Sequence, residues 1–331
     1  MKCIIKVVVI LLLTIMLITI YLYVNRHNEK LSSLDVIDTS ILSKGSSEML
    51  WHKVVIVGIA RDNIIDLPDV KRYIEYTGGF FKDYRVIIFE NDSTDGTKWF
   101  LSKWKQKNHK VQIISQDYQN KKRPSIGFLA TARNYYINEL QHNPEYRDFD
   151  LVMMLDMDMS NGWDMRGVFD TFSKIDQWDA VCANGIWTTD GRMYDAFAFR
   201  RPGFQDSPAQ NADYAERVVP MMQNIIYPVG GALVPVTSCF NGMAFYKKKF
   251  IQECLYTSPG GDCEHVMFNE CLHQNGARIF MNPSQIIRYA EPAGKWFGVY
   301  PKGQKPLDYK IMQKIRSVKN ALWWCMDILL K

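Results

Sequence analysis

Several absences narrow the field before any residue is singled out. No G-x-G-x-x-G follows the first apolar run and no Walker loop occurs, so a dinucleotide or ATP site of the usual kinds is disfavoured. No C-x-x-C and no Cys/His spacing suits zinc, although the chain holds seven cysteines. There is no strong excess of either charge. The 40 Lys and Arg stand against 35 Asp and Glu, a net charge of +5, and the basic residues are spread along the chain. Runs such as Lys247-Lys248-Lys249 and Lys121-Lys122-Arg123 read most simply as solvated surface, and nothing calls for nucleic acid. What remains is 331 residues at 47% hydrophobic, ample for one large α/β domain or two smaller ones.

Very long apolar runs are also missing, with one exception. From Val7 to Val24 the only polar side chains are Thr14 and Thr19 among Val, Ile, Leu, Met and Tyr. The run is long enough to cross a bilayer at a rise of about 1.5 Å per residue. A cleaved signal peptide is the rival reading, but its apolar core is shorter and ends in small residues. Here the run ends Tyr21-Leu22-Tyr23-Val24. The expectation is an uncleaved anchor over 7–24, a short cytoplasmic end over 1–6, and a polar stem over 25–50. The domain over 51–300 and a C-terminal helical tail over 301–331 then face a lumen of ER or Golgi type, as in a single-pass type II protein. The tail, with Trp323 and Trp324, reads as an amphipathic helix packed on the domain or resting on the membrane. Cysteines in a lumen can pair, and Cys254 with Cys263 is a plausible bridge by proximity; the bland alternative leaves all of them reduced in the core.

The chain is organised around Leu151-Val152-Met153-Met154-Leu155-Asp156-Met157-Asp158. Its apolar run suits a central strand buried on both faces. A bare carboxylate inside a core costs several kcal/mol or more, on the order of an unpaired buried charge. Asp156 and Asp158 therefore belong where the strand leaves the sheet. At i and i+2 they point the same way. Two hard oxygen ligands suit Mn²⁺ or Mg²⁺, with positions left for water and substrate phosphates. Upstream, Lys53–Ala60 reads as a strand ending in Arg61-Asp62. A helix from Leu67 follows, then a strand over Arg85–Phe89 that runs into Glu90-Asn91-Asp92-Ser93-Thr94-Asp95-Gly96-Thr97. A helix over Thr97–Lys107, a strand over Val111–Ser115 and a helix over Ile126–Leu140 with Ala132-Arg133-Asn134 come next. This alternation predicts an α/β fold: a mostly parallel central sheet with helices on both faces, ligands binding outside its carboxyl ends.

The order Ala60-Arg61, then Asn91-Asp92 with its Ser-Thr-Asp-Gly-Thr, then Ala132-Arg133-Asn134, then Asp156-Met157-Asp158 resembles nucleotide-sugar glycosyltransferases of the GT-A fold. The resemblance spans about residues 51–290. The phrases Gly58-Ile59-Ala60-Arg61-Asp62, Glu90-Asn91-Asp92-Ser93 and Trp178-Asp179-Ala180-Val181-Cys182-Ala183-Asn184-Gly185 look more narrowly like the family of the fungal capsule α-1,3-mannosyltransferase. That resemblance implies a membrane-anchored enzyme moving a sugar from GDP-mannose or a UDP-sugar to a glycan or other hydroxyl acceptor. It implies that Ala60, Arg61, Glu90, Asn91, Asp92, Arg133 and Asp156 meet the donor nucleotide and that Asp156 and Asp158 hold Mn²⁺. It also places Asn241, Gly242 and His265 on the donor-sugar or acceptor side.

Each carried-over residue has a plainer reading beside it. Asp92 to Thr97 also makes a helix cap. Arg133 also suits a helix surface, and His265 is more often structural. Acids such as Asp262 and Glu264 at a helix start are favoured in any protein; as a catalytic candidate, either would deprotonate the acceptor in an inverting enzyme or orient sugars in a retaining one. Residues 200–218 lack periodicity and read as a flexible acceptor-side loop, while Tyr194–Phe199, Pro228–Val236 and Phe240–Tyr246 read as strands. One departure from the fold's pattern is that no histidine follows the last strand to serve as a third metal ligand; Glu291 is the nearest substitute. Two rivals remain at this level: a nucleotidyltransferase, which would carry a phosphate loop where Ala60-Arg61-Asp62 stands, and a catalytically silent glycan-binding scaffold.

Overall fold

The computed structural model describes residues 36–119, 125–188 and 191–289. The apolar run over 7–24, Glu291 and the tail over 301–331 lie outside the described residues. No helix within them is long and apolar enough to cross a membrane.

The elements follow the chain as α1 (Thr39–Met49), β1 (Lys53–Ala60), α2 (Leu67–Gly78), β2 (Asp83–Asn91), α3 (Thr97–Lys107), β3 (Val111–Gln116), α4 (Ile126–His142) and β4 (Leu151–Leu155). Then come α5 (Met165–Ser173), β5 (Ala180–Trp187), α6 (Val219–Gln223), β6 (Val234–Pro235), β7 (Met243–Lys247), α7 (Glu264–Gln274) and β8 (Ile279–Tyr289). One eight-stranded sheet takes the order β3-β2-β1-β4-β7-β5-β8-β6.

Period-two alternation sorts the strand residues onto two cores. Val55, Val57, Ile87, Val152 and Met154 face α4 and α7, while Val54, Ile56, Val86, Ile88, Met153 and Leu155 face α2, α3 and α5. Each fully buried side chain of this size contributes roughly 1.5–3 kcal/mol, which is why these strands read as unbroken apolar runs.

The sheet is mixed rather than mostly parallel, which corrects the expectation. β3, β2, β1 and β4 are parallel, but β7 is antiparallel to both β4 and β5, and β6 is antiparallel to β8. The cause lies in the excursion over 188–242. β5 ends at the carboxyl edge, and after the short β6 beside β8 the chain re-enters the sheet where Met243 pairs with Leu155, at the carboxyl end of β4. From there it can only run back. Tyr194–Phe199 is a turn instead of a strand, because the Asp195 carboxylate accepts from the Ala198 N–H at 3.2 Å and folds the segment. The two strands expected over Pro228–Val236 and Phe240–Tyr246 both form, the first shortened to the two residues of β6 and the second as β7; Pro228, Gly230 and Gly231 interrupt the first.

Within the stretch read as a stem, α1 is a helix packed on α5. A Cβ at Gly45 would stand 1.8 Å from the Phe169 carbonyl oxygen, so only glycine permits this approach. The cysteine pairing also differs from the expected one. Cys182 bonds Cys239 and Cys254 bonds Cys271, while Cys263 is a buried free thiol. Cys263 caps α7 and turns its sulfur toward Glu264, 3.8 Å away, so its neighbour in sequence finds a partner farther along that helix.

Candidate active site

Three strand ends bring the polar clusters together at the carboxyl edge. At β1, Ala60 is buried and pairs with Glu90 of β2, while Arg61 is half-buried and Asp62 exposed. Asp62 takes a left-handed φ of +52°. Its carboxylate accepts from the Thr94 N–H at 2.8 Å, and its own N–H donates to the Ser93 hydroxyl at 3.1 Å. Asp95 accepts from Ile64 and Thr97 N–H groups at 3.0 Å. The first two turns are thereby stapled into one surface.

At β2, Glu90 is fully buried, accepting from the Ser93 N–H at 3.0 Å and the Ser115 hydroxyl at 2.5 Å. It supports the turn from behind. Asp92, at φ +51°, accepts from the Asn91 amide at 2.9 Å and the Tyr118 N–H at 2.8 Å. Desolvation works upward on its carboxyl, but these hydrogen bonds hold it below its ordinary range. Asp92 is therefore an ionised acceptor on a strained turn, more than a helix cap.

At β4, the alternation expected of Asp156 and Asp158 continues past the strand. Met157 and Met159 go into the core and the two aspartates stay partly exposed. The Asp156 N–H donates to the Gly242 carbonyl at 3.0 Å, just before β7. Asn241 and Gly242 both have positive φ, +53° and +82°, and a Cβ at Gly242 would strike the Met159 methyl at 2.1 Å. Asn241 is buried, with its amide on the Ala183 carbonyl at 2.9 Å. The pair shapes the wall beside Asp156; only the Gly242 carbonyl touches it.

Arg133, buried on α4, is the hub of the acidic cluster. Its Nε donates to Glu264 at 2.9 Å, one terminal nitrogen approaches Asp156 at 3.5 Å, and the other donates to the Tyr136 hydroxyl at 3.3 Å. The guanidinium also lies over the Phe240 and Tyr256 rings. Burial pushes the Asp156 carboxyl up to about 6, against the pull of Arg133 and with the push of Glu264. The two catalytic candidates of the sequence are both engaged. Glu264 is buried on Arg133, and Asp262 accepts from Arg200 at 2.9 Å. His265 is buried and stacked 3.9 Å from the Phe240 ring. Burial and the nearby Arg133 push it well below its ordinary value, so it packs as a neutral ring.

Sequence reasoning missed Tyr194, Asp195 and Arg200. The Tyr194 hydroxyl reaches Asp156 at 3.4 Å. Asp195 accepts from the Asn241 N–H at 3.1 Å, and burial with the nearby Asp156 charge pushes it up to about 7. Arg200, at the start of the segment read as a flexible loop, is buried and binds the Phe197 and Phe199 carbonyls as well as Asp262. The available signal was one carboxylate inside Tyr194-Asp195-Ala196-Phe197-Ala198-Phe199, since a charge in an apolar run needs a partner.

The cluster holds more carboxylates than cations, so a divalent cation suits it. Asp156 and Asp158 offer hard oxygens just past the end of β4, and the Asp156 contacts to Arg133 and Tyr194, 3.5 and 3.4 Å, are long enough to yield. Among the described residues, no set of three His, Cys, Asp or Glu side chains gathers as a closed metal site. Two protein carboxylates with the rest left to solvent and substrate is the pattern of Mg²⁺ or Mn²⁺ on phosphates.

The family model described as "Cryptococcal mannosyltransferase 1" matches residues 72–286, and the chain belongs to that family. The resemblance read from the sequence is borne out. No curated protein matches the chain. Among solved structures, S. aureus TarS is similar at 13% identity over 73% of this chain and 37% of that one, with a TM-score of 0.42. The mannosyltransferase PcManGT from Pyrobaculum calidifontis, in complex with GDP-Man and Mn²⁺, is similar at 14% identity over 75% and 60%, TM-score 0.42. GalNAc-T7 with UDP, GalNAc and Mn²⁺ is similar at 14% over 76% and 46%, TM-score 0.43. The chain spans less than two thirds of the length of each of these three.

Proposed function

We propose that this glycosyltransferase moves a hexosyl group from a nucleotide-sugar to a hydroxyl acceptor such as a glycan. The reading rests on one observation above all: Asp156, Asp158, Arg133 and the Asp92 turn meet at the carboxyl edge of one sheet. The description of its family favours a mannosyl donor, GDP-mannose, over a UDP-sugar. Asp156 and Asp158 would hold Mn²⁺ or Mg²⁺, which screens the diphosphate and steadies the charge growing on it as the glycosidic bond breaks.

The chain's own residues do the positioning. Ionised Asp92 accepts hydroxyl or ring N–H donors of the nucleoside. Arg133 fixes Glu264 in place and lends its charge to Asp156, whose backbone the Gly242 carbonyl fixes. Glu264 and Asp262 each answer an arginine, so they act on substrate through those arginines instead of as free bases. The apolar run over 7–24 anchors the chain in a bilayer as a type II protein, with the domain in a lumen; two disulfides favour an oxidising compartment.

The test uses the full chain with GDP-mannose and a panel of UDP-sugars in Mn²⁺, following nucleotide release with and without EDTA. Release from one donor that EDTA abolishes, reduced on the order of a hundredfold or more in Asp158→Ala, is expected. Calorimetry showing that folded protein with Mn²⁺ binds no donor would overturn the proposal.

A further inference from the structure

We propose that Asp195 receives hydroxyls of the transferred sugar, as a donor-sugar contact of the active site. The inference rests on the nucleotide-sugar reading above, and it starts from what the other carboxylates are doing. Glu264 is buried on Arg133, Asp262 is held by Arg200 at 2.9 Å, and Asp156 and Asp158 are the pair proposed above to hold the metal. Asp195 differs. Among the described residues its hydrogen-bond partners are two backbone N–H groups, Ala198 at 3.2 Å on one oxygen and Asn241 at 3.1 Å on the other.

A carboxylate has about four acceptor positions, two on each oxygen. One on each oxygen of Asp195 therefore stays open, and the residue remains partly exposed. That geometry fits two neighbouring hydroxyls, each donating to one oxygen. It repels a diphosphate. Hexoses carry such vicinal diols; the anionic part of a sugar nucleotide does not.

Its placement is as telling. Tyr194, the residue before it, reaches Asp156 at 3.4 Å. Asn241, which it holds, precedes Gly242, whose carbonyl takes the Asp156 N–H at 3.0 Å. Asp195 is thus tied by two short routes to the first aspartate of the D-x-D, where the sugar must leave its phosphate. A left-handed Asn241 held by a carboxylate also has a purely structural use, and the experiment separates the two.

The full chain in Mn²⁺ is titrated by calorimetry with GDP, GDP-mannose, UDP and UDP-GlcNAc, and the pair that binds the native protein is carried forward. Asp195→Asn is expected to weaken the sugar nucleotide by about tenfold or more, the worth of a charge-assisted hydrogen bond. The bare nucleoside diphosphate should stay within about threefold of native. Sugar nucleotides lacking one ring hydroxyl should suffer a similar loss on the native protein and little further loss on Asp195→Asn. If sugar nucleotide and nucleoside diphosphate weaken in step, Asp195 acts on the turn behind Asp156 or on the ribose diol and not on the transferred sugar, and the proposal falls. It also falls if neither changes. Should the Asn variant fail to fold, the deoxy series on the native protein decides, and no loss with any analogue overturns the proposal. Native protein that binds neither sugar nucleotide would sink the donor reading itself, an outcome visible before any variant is made.

Discussion

Asp179 shows how much one side chain can fix away from the site. It accepts from Arg278 Nε at 2.8 Å, the Arg278 N–H at 3.1 Å and Lys247 Nζ at 3.1 Å, tying the start of β5 to the start of β8 and the end of β7. Burial works upward on its carboxyl, but these donors hold it down at about 2, against an ordinary 3.8. A carboxylate depressed by folding contributes stability above its unfolded value, and that contribution is lost as pH falls from near 3.8 through about 2. Asp179→Ala should cost about 2 kcal/mol in urea unfolding at pH 7, the range of hydrogen bonds to charged groups. The loss should shrink toward pH 2, where about half of the native carboxylate is protonated too. At this scale the sequence was a good guide to place and a poor one to partner. Asp92, Asp156 and Asp158 stand at strand ends as their apolar runs require. That Arg133 would meet Glu264, 131 positions away, has no local signature.

Elements were legible where the physics is local. β1, α3, α4 and β4 announce themselves by continuous or periodic apolar residues, and their bounds fall within a residue or two of those read from the chain. The direction of β7 was not legible, because Met243–Lys247 looks the same whichever way it runs. Nor was α1: its sequence is mostly polar, and it joins the domain through the close approach of Gly45 with only a few apolar contacts, from Ile41, Leu42 and the buried Met49. That points to a direct check. Gly45→Ala places a methyl against the Phe169 carbonyl and should force α1 off α5, costing about 1–3 kcal/mol by overpacking despite alanine's better helix propensity. A variant as stable as the native protein in thermal unfolding would show that α1 docks some other way.

On the scale of the whole molecule, the long excursion over 188–242 is what a sequence reading handles least well. It is fastened by Cys182–Cys239, a bridge between residues 57 positions apart. Chain-entropy arguments give a closed loop of that length about 4 kcal/mol. The double variant Cys182→Ser, Cys239→Ser should lose a large share of this in denaturant unfolding under oxidising conditions. An unchanged midpoint would mean that packing alone holds the excursion.

The insertion of β7 between β4 and β5 also sets a timetable for the growing chain. β3, β2, β1 and β4 are complete once residue 155 has been made, yet the open edge of β4 waits for Met243–Lys247 before it is paired. Throughout that interval a bare, apolar strand edge is on offer to any other extended chain. Pairing at such sequence separation is slow to form. The nascent domain is therefore most prone to misassociation midway through synthesis, after Asp156 and Asp158 have emerged and before Met243–Lys247 closes that edge.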